Sequence, residues 1–460
     1  MNSSADGITL LRVRNMRFRE DDSLVWTQSD GIEDEVTANE VLFSLDLTAS
    51  EKGFIVCCLR ESVVGDSQSQ VLLVLAADRL PPGQHQQPTI SQLPRHLDQS
   101  QVDIIVSTHS GTRLAPTFWQ TVLRPLFHVV CDVLGAHPPT EAILTTDALA
   151  VRNFGCRLRS RRGERTVVLL SGDGGVADLL DGYGVEEEEE DEEADERKPS
   201  PIIALLPLGT GNALFHSLHR LSSEDGPSSV GPSPLARGLR TLFLGEPAGL
   251  PVFRARFSPG SHLVRASDED EEKERPISTL YGTIVASYGF HATLIHESDT
   301  AQYRPHGAQR FSLVARTLLD KPHSYQAEIS IDGEPLRQRE HGYVLVAMVS
   351  NLERTFTISP DSRPLDGKLF LVRFGNLAPE RVLQVMQMAY AGGQHVGLAW
   401  DGGERVSYRE VDEVLVKVGD EDARWRKVRG EAVSDPGGWP GSEAAVILRR
   451  LFFYSCRGGP

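Results

Sequence analysis

Two glycine-rich turns constrain this chain more than any other feature. One is Ser-Gly-Asp-Gly-Gly at 171–175, the other Pro-Leu-Gly-Thr-Gly-Asn at 207–212. Each follows a short, uninterrupted apolar run, Val-Val-Leu-Leu at 167–170 and Ile-Ile-Ala-Leu-Leu at 202–206. Such runs read as strands buried on both faces, the signature of a parallel sheet. Apolar runs at 103–107 and 141–145, with an amphipathic stretch at 117–134 between them, extend the alternation of strand and helix. Ligands of such sheets collect at the carboxyl ends of the strands, where both turns lie. Backbone N–H groups in a glycine turn beside a helix start suit a phosphate anion. Two such turns on neighbouring strands point to a nucleoside triphosphate. Asp173, the lone acidic side chain between glycines, points to chemistry on it.

The flanking regions read differently. Residues 1–100 hold strand-like segments at 8–13, 41–45, 53–58 and 71–75, and form an expected β-rich module. The stretch 81–94 reads as a linker and 222–234 as a flexible connector. After about residue 245 the pattern is strand-rich, with runs at 282–288, 326–331, 342–349, 369–374, 414–418 and 445–448 and one helix near 379–391. The expected architecture is α/β plus β. A β-rich module (1–100) precedes a parallel α/β nucleotide-binding domain (101–245) and an antiparallel β-sandwich domain (246–460).

The net charge of −17 would mislead if taken as a property of the whole surface. Residues 186–196 carry ten acidic groups, and 268–274 carry six with one lysine; without these two runs the remainder is only −2. Like charges at that density repel, so 185–199 reads as a disordered insert in the α/β domain. No basic footprint for nucleic acid is present. No run of 18 apolar residues exists, and the N-terminus lacks the apolar core of a secretory signal. The five cysteines are odd in number and have no metal-ligand spacing, which fits a reducing, cytoplasmic compartment.

Taken singly, either turn is an ordinary loop. Together, and in this order, they resemble the catalytic superfamily of the diacylglycerol kinases, which includes the sphingosine kinases. That family carries Gly-Gly-Asp-Gly-Thr/Ser and then Pro-Leu-Gly-Thr-Gly-Asn. The segment Asp178-Leu179-Leu180-Asp181-Gly182 is similar to the family's Glu-x-x-Asn-Gly. Gly289-Phe290-His291-Ala292, then Ser298-Asp299, then Tyr303-Arg304-x-x-Gly307-x-x-Arg310-Phe311 resemble the sphingosine kinase branch, in its fungal form. Asp366-Gly367-Lys368-Leu369 is similar to the family's strand-opening Asp-Gly-x-Leu. A Gly-Asp-Gly turn also occurs in NAD kinases, but the 207–212 motif favours the lipid kinases.

The resemblance implies transfer of the ATP γ-phosphate to a lipid hydroxyl, with Mg²⁺ on the nucleotide. The acceptor it favours is a sphingoid long-chain base over diacylglycerol, drawn from an intracellular membrane by transient peripheral contact. Asp173 is the implied catalytic residue. Ser107, Gly172, Gly174, Gly175, Thr210, Gly211, Asn212, Arg304, Arg310 and Glu431 are implied nucleotide contacts. Glu297 and Asp299 are implied lipid contacts, with Asp178 in support. His291 reads as a packed side chain. Three positions depart from the family pattern: Ser107 stands for asparagine, Gly175 for a hydroxyl residue, and Arg429 for the aspartate of the C-terminal Val-Asp-Gly-Glu. They motivate an alternative, a catalytically attenuated member that binds nucleotide or lipid as a regulator.

Overall fold

The computed structural model describes residues 10–47, 53–64, 67–80, 88–111, 113–139, 141–184, 200–220, 231–259, 261–263, 275–418 and 448–457. The acidic insert 185–199, Arg429 and Glu431 lie outside the described residues. The architecture is mixed, with one parallel sheet and several antiparallel ones. The chain divides into two compact units. The first comprises Met1–Thr210, His219–Gly249 and Phe453–Pro460; the second comprises Gly211–Leu218 and Leu250–Phe452.

The first unit is built on parallel strands in the order Ala142–Leu144, Gln101–Val106, Arg165–Ser171, Ile202–Pro207. The Leu448–Arg457 strand joins them through Tyr454 and Ser455, paired with Ile202 and Ile203. The central strands are buried along nearly their whole length, as their unbroken apolar sequence requires. Ile104, Val106, Val168, Leu170, Ala204 and Leu206 belong to one core with the helical segments that cover this face. The opposite pleat carries Leu169, which faces the Asp173–Tyr183 helix.

The amphipathic stretch expected at 117–134 runs as one continuous helical segment from Ala115–Phe118 through a π-turn at Trp119–Leu123 to Arg124–Leu134. The π-turn lies just upstream of Pro125. Proline has no N–H to donate and its ring crowds the preceding turn, so widening there relieves the clash. Gly135, left-handed at φ 71°, ends the helix.

The N-terminal strands do not stand apart. Leu42, Phe43, Leu45, Ile55, Cys57 and Val74 belong to the same core as the sheet and its helices. Phe43 and Phe127 each pack on Phe243, with ring centroids 5.3 and 5.1 Å away. Part of the stretch read as a linker is strand: Thr89–Ile90 pairs with Ser44 and Leu45. The end of the expected connector is an N-cap, since Ser233 accepts from the Ala236 amide at 3.1 Å and starts the Pro234–Leu244 helix. Burial pushes the Cys57 thiol up to about 12 and Cys131 up to about 11, so both stay protonated at neutral pH.

The second unit centres on an antiparallel sheet of Val285–Gly289, Tyr343–Ala347, Leu369–Phe374 and Ser407–Val411. A second sheet joins Tyr325–Ile331 to Val414–Val418. Strand alternation divides the residues cleanly. Val344, Val346 and Met348 share a core with Ala327, Ile329 and Val416 of the second sheet. Tyr343, Leu345 and Ala347 share another with Val382 and Val385 of the Pro379–Tyr390 helix. The central sheet is therefore buried on both faces, by a sheet on one and a helix on the other. The Phe290–Ser298 and Gln309–Asp320 helices are elements the strand-rich reading of this region does not contain.

His291 is buried, as expected, with Nδ1 2.9 Å from the Ser287 hydroxyl. Burial pushes its pKa down to about 4, against an ordinary 6.5, so the fold holds it neutral. A group with a depressed folded pKa of this kind costs nothing above its unfolded pKa. It begins to cost once the unfolded chain takes up a proton the fold refuses, so stability falls as pH drops from 6.5 toward 4. From pH 7 to pH 5 this one group removes about 2 kcal/mol of stability. Urea midpoints at the two pH values, compared with those of His291→Gln, should show the acid loss shrinking in the variant. An equal loss in both proteins would assign the acid sensitivity elsewhere.

Candidate functional site

Four strand ends of the first unit meet in one row. The Ser107 amide donates to the Leu170 carbonyl at 3.0 Å, the Thr145 amide to the Val106 carbonyl at 3.0 Å, and the Leu208 amide to the Ser171 carbonyl at 3.1 Å. The parallel register thus brings the turns at 107–111, 171–175 and 207–210 to a common carboxyl edge. Gly111 closes the gap between the first and third. It is left-handed at φ 51°, and a Cβ there would lie 2.6 Å from the Leu208 carbonyl oxygen. Thr108 ties the first turn to the next strand end. Its amide donates to Thr145 Oγ1 at 3.0 Å, and its hydroxyl donates to the Thr145 carbonyl at 2.8 Å.

The 171–175 turn passes straight from strand to helix. Gly172 is the extended N-cap, and Asp173, Gly174 and Gly175 form the first turn of the eleven-residue Asp173–Tyr183 helix. No side chain caps this helix. Its N-terminus carries partial positive charge, which favours the Asp173 carboxylate and any anion brought near. The three glycines differ in why they are glycine. At Gly175 an added Cβ would stand 2.8 Å from the Ser171 Cβ and closer still to its hydroxyl, so the protein itself forbids a side chain. Gly174 is exposed and its backbone is not left-handed; a Cβ there would meet nothing within 4 Å. Neither packing nor conformation asks for glycine at 174, and what remains is an open approach to the backbone.

Asp178 sits on the same helix, about 140° round from Asp173 and about 7.5 Å along the axis. The helix is held by backbone-close packing on Ala150–Arg159. A Cβ on Gly155 would lie 2.6 Å from the Leu179 carbonyl oxygen, and one on Gly182 would overlap the Arg152 carbonyl, 2.8 Å from its carbon. Gly182, the last residue of the segment similar to Glu-x-x-Asn-Gly, therefore has a packing reason to be glycine.

The remaining candidates belong to the second unit. Gly211 and Asn212 open its Gly211–Leu218 segment. Asn212 is buried and left-handed at φ 55°, a conformation asparagine tolerates better than most residues, and its carbonyl accepts from the His216 amide at 2.9 Å. Asn351 is buried in protein contacts: its amide donates to Ser217 Oγ at 3.0 Å and its Nδ2 to Thr357 Oγ1 at 3.2 Å.

Asp299, Arg304 and Arg310 form one ion-pair cluster. Arg304 grips both Asp299 oxygens at 3.2 and 2.9 Å, and Arg310 lies 3.8 Å from Oδ1. Asp299 is the C-cap of the Phe290–Ser298 helix, where a negative charge opposes the helix dipole, and the two guanidiniums offset it. Arg310 is mostly buried over the Phe311 ring; burial lowers its pKa and Asp299 opposes that shift. Glu297 lies two residues before Asp299 and its carbonyl accepts from Thr300 Oγ1 at 2.8 Å. Glu431 lies outside the described residues.

Sequence reasoning thus named the strand-end turns; it assigned Arg304 and Arg310 to the nucleotide and Asp299 to the lipid, whereas the structure pairs all three with one another. It gave no separate role to Gly111, Thr108, Thr145, Gly155 or Ser171, whose contacts lie across the fold. Among the described residues no three histidine, cysteine, aspartate or glutamate side chains cluster as a metal site.

Residues 101–230 match the diacylglycerol kinase catalytic domain family. No curated protein matches the chain. Among solved structures, the chain is similar to a Bacillus anthracis str. Sterne protein provisionally described as a diacylglycerol kinase, at 15% identity and a TM-score of 0.49 over 78% of this chain and 97% of that one. It is also similar to a diacylglycerol kinase of the same organism, at 13% identity and a TM-score of 0.45 over the same shares. A weaker similarity is to yeast NADH kinase in complex with NADH, at 10% identity and a TM-score of 0.32 over 78% of this chain and 84% of that one.

Proposed function

We propose that this chain is an ATP-dependent lipid kinase, transferring the γ-phosphate to a lipid hydroxyl, with a sphingoid long-chain base as the favoured acceptor. The observation that carries the reading is the start of the Asp173–Tyr183 helix. Gly174 leaves an approach to the backbone that a Cβ would fill, beside Asp173, at the carboxyl edge of parallel strands, inside the stretch that matches the catalytic domain family. The glycine-rich first turn would receive the nucleotide phosphates through backbone N–H groups. Thr210, Gly211 and Asn212 would contact the nucleotide from the second turn. Asp173 would orient the acceptor hydroxyl and receive its proton. An aspartate near pKa 3.9 is a weak base, so alignment must supply most of the rate. Mg²⁺, bound to the phosphates, would neutralise charge on the transferring group. On this reading it arrives bound to ATP. The preference for a sphingoid base rests on the similarity of 303–311 to the sphingosine kinase segment.

The direct test is purified protein with labelled ATP, Mg²⁺ and detergent-dispersed sphingosine, phytosphingosine, diacylglycerol and ceramide. Label on one lipid names the acceptor. ATP binding without transfer to any lipid would favour the attenuated regulator, and no ATP binding would end the kinase reading. A second test isolates the cradle. Alanine is a better helix former than glycine, so Gly174→Ala should raise stability by up to about 1 kcal/mol. The added methyl obstructs the phosphate approach and should weaken ATP binding about tenfold or more. A melting curve and an ATP titration on the variant read both effects. Unchanged ATP affinity would show that nothing approaches the backbone there.

A further inference from the structure

We propose that Arg373, Arg405 and Arg409, on one pleat of the second unit's antiparallel sheet, form a binding site for a phosphate group that the phosphoryl-transfer reading does not use. Arg373 pairs with Ser407 across the sheet, and Arg409 pairs with Leu371. Leu371 and Val411 belong to the core between the two sheets, whereas Val372 and Val406 belong to the core on the helix side. Alternation therefore turns Arg373, Ser407 and Arg409 to the first side, and Arg405, extended and bridged to Ala399, with them. Arg405 and Arg409 stand on the two diagonals of Arg373, about 7 Å away and within reach of long side chains. Burial lowers the Arg373 pKa, and the charges of Arg405 and Arg409 lower it further.

Three like charges so placed repel, and the protein answers little of it. Arg409 meets Asp332 only at 3.8 Å, and Asp332 Oδ1 already accepts from the Asp412 and Glu413 amides at 2.8 and 2.9 Å. Among the described residues Arg373 and Arg405 form no ion pair. Arg373 donates through Nη1 to the neutral Gln338 at 2.8 Å, and its buried Nε has no partner. The other neighbour is His341, fully buried, with Nε2 3.2 Å from the Ala327 carbonyl. A carbonyl only accepts, so Nε2 carries the proton and Nδ1 is left bare, without a partner. Burial lowers the His341 pKa and the Arg373 charge lowers it further, so the ring stays neutral. A phosphate brings about two negative charges at neutral pH and several strong acceptors, which suits convergent guanidiniums beside a hydroxyl. Free phosphate and a phosphomonoester lipid headgroup share this chemistry.

The test uses the full-length chain at constant ionic strength, so that general screening is held fixed. The probes are inorganic phosphate exchanged for chloride, and phosphatidylcholine vesicles with and without phosphatidic acid. The variants are Arg405→Gln and Arg405→Glu, at an exposed position where folding should survive. Without phosphate, Arg405→Gln should melt no lower than wild type, because repulsion around Arg373 is relieved. Arg405→Glu should melt higher, because it brings Arg373 a carboxylate. Phosphate should raise the melting temperature of the wild type. Affinity for the probe that binds should fall about tenfold in Arg405→Gln and vanish in Arg405→Glu. Such a loss for phosphate in solution assigns the free ion, and such a loss for phosphatidic acid vesicles alone assigns the headgroup. ATP affinity should stay within about threefold in Arg405→Gln, which separates this site from the glycine turns. Probe binding that is unchanged in both variants would overturn the proposal. So would a wild type that answers neither probe, or an ATP affinity that falls in step with that of the probe.

Discussion

Replacing Asp173 by asparagine is expected to lower phosphate transfer by about 10²–10⁴-fold while ATP affinity stays within about threefold. The two side chains have nearly the same shape, and asparagine also tolerates the first turn of a helix. The fold should therefore survive, with a stability change below about 1 kcal/mol from the lost charge at the helix N-terminus. What asparagine cannot do is accept the proton of an attacking hydroxyl. The separation of a large effect on transfer from small effects on binding and stability is the informative part. A radiolabel transfer assay against the best lipid, run beside a melting curve and an ATP titration, measures all three. Transfer retained within a few-fold would make Asp173 a turn residue, since aspartate favours such positions for local hydrogen bonding alone.

Gly182→Ala is expected to destabilise the first unit by about 3 kcal/mol or more. Two arguments predict opposite signs here. Helix propensity favours alanine over glycine by about 1 kcal/mol within a helix. Packing forbids it, because the new methyl would overlap the Arg152 carbonyl of the neighbouring helix. Backbone cannot swing aside as a side chain can, so the helices must part, and the Gly155 contact with Leu179 opens with them. A loss of that size is a large share of the roughly 5–15 kcal/mol that holds a typical protein folded. Denaturant midpoints of Gly182→Ala and of the solvent-facing Gly174→Ala should therefore move in opposite directions. A gain in both would mean that propensity governs and the interhelical contact is soft.

The strands of the parallel sheet were legible because apolar runs such as 167–170 and 202–206 have no polar residue to place in water. The turns that end them were legible because a glycine between a buried strand and a helix start has few other uses. The helix at 379–391 was legible from its spacing, and the structure has it as Pro379–Tyr390. The Phe290–Ser298 and Gln309–Asp320 helices were not. They lie among strong strand signals; the first spans nine residues with histidines at 291 and 296 that blur its apolar face, and the second opens on the polar Gln309 and Arg310. Nor was the union of the N-terminal strands with the sheet core. Phe43 and Phe243 are two hundred residues apart, and nothing local to either predicts that their rings will touch.

Local chemistry, read along the chain, was enough for the class of the sheet, the place of its turns and the choice of Asp173 as the reactive candidate. Those follow from periodicity and from what glycine and aspartate can do within a few residues. The reason each glycine is glycine required the folded backbone. Gly111 is needed by the next turn, Gly175 by Ser171, Gly182 by a neighbouring helix, and Gly174 by nothing in the protein. The same goes for Asp299, whose two arginines arrive from the turn after its own helix and from the start of the next one. Close approach between segments distant in sequence is a property of the packed chain, because it depends on how surfaces meet and not on any one stretch of residues.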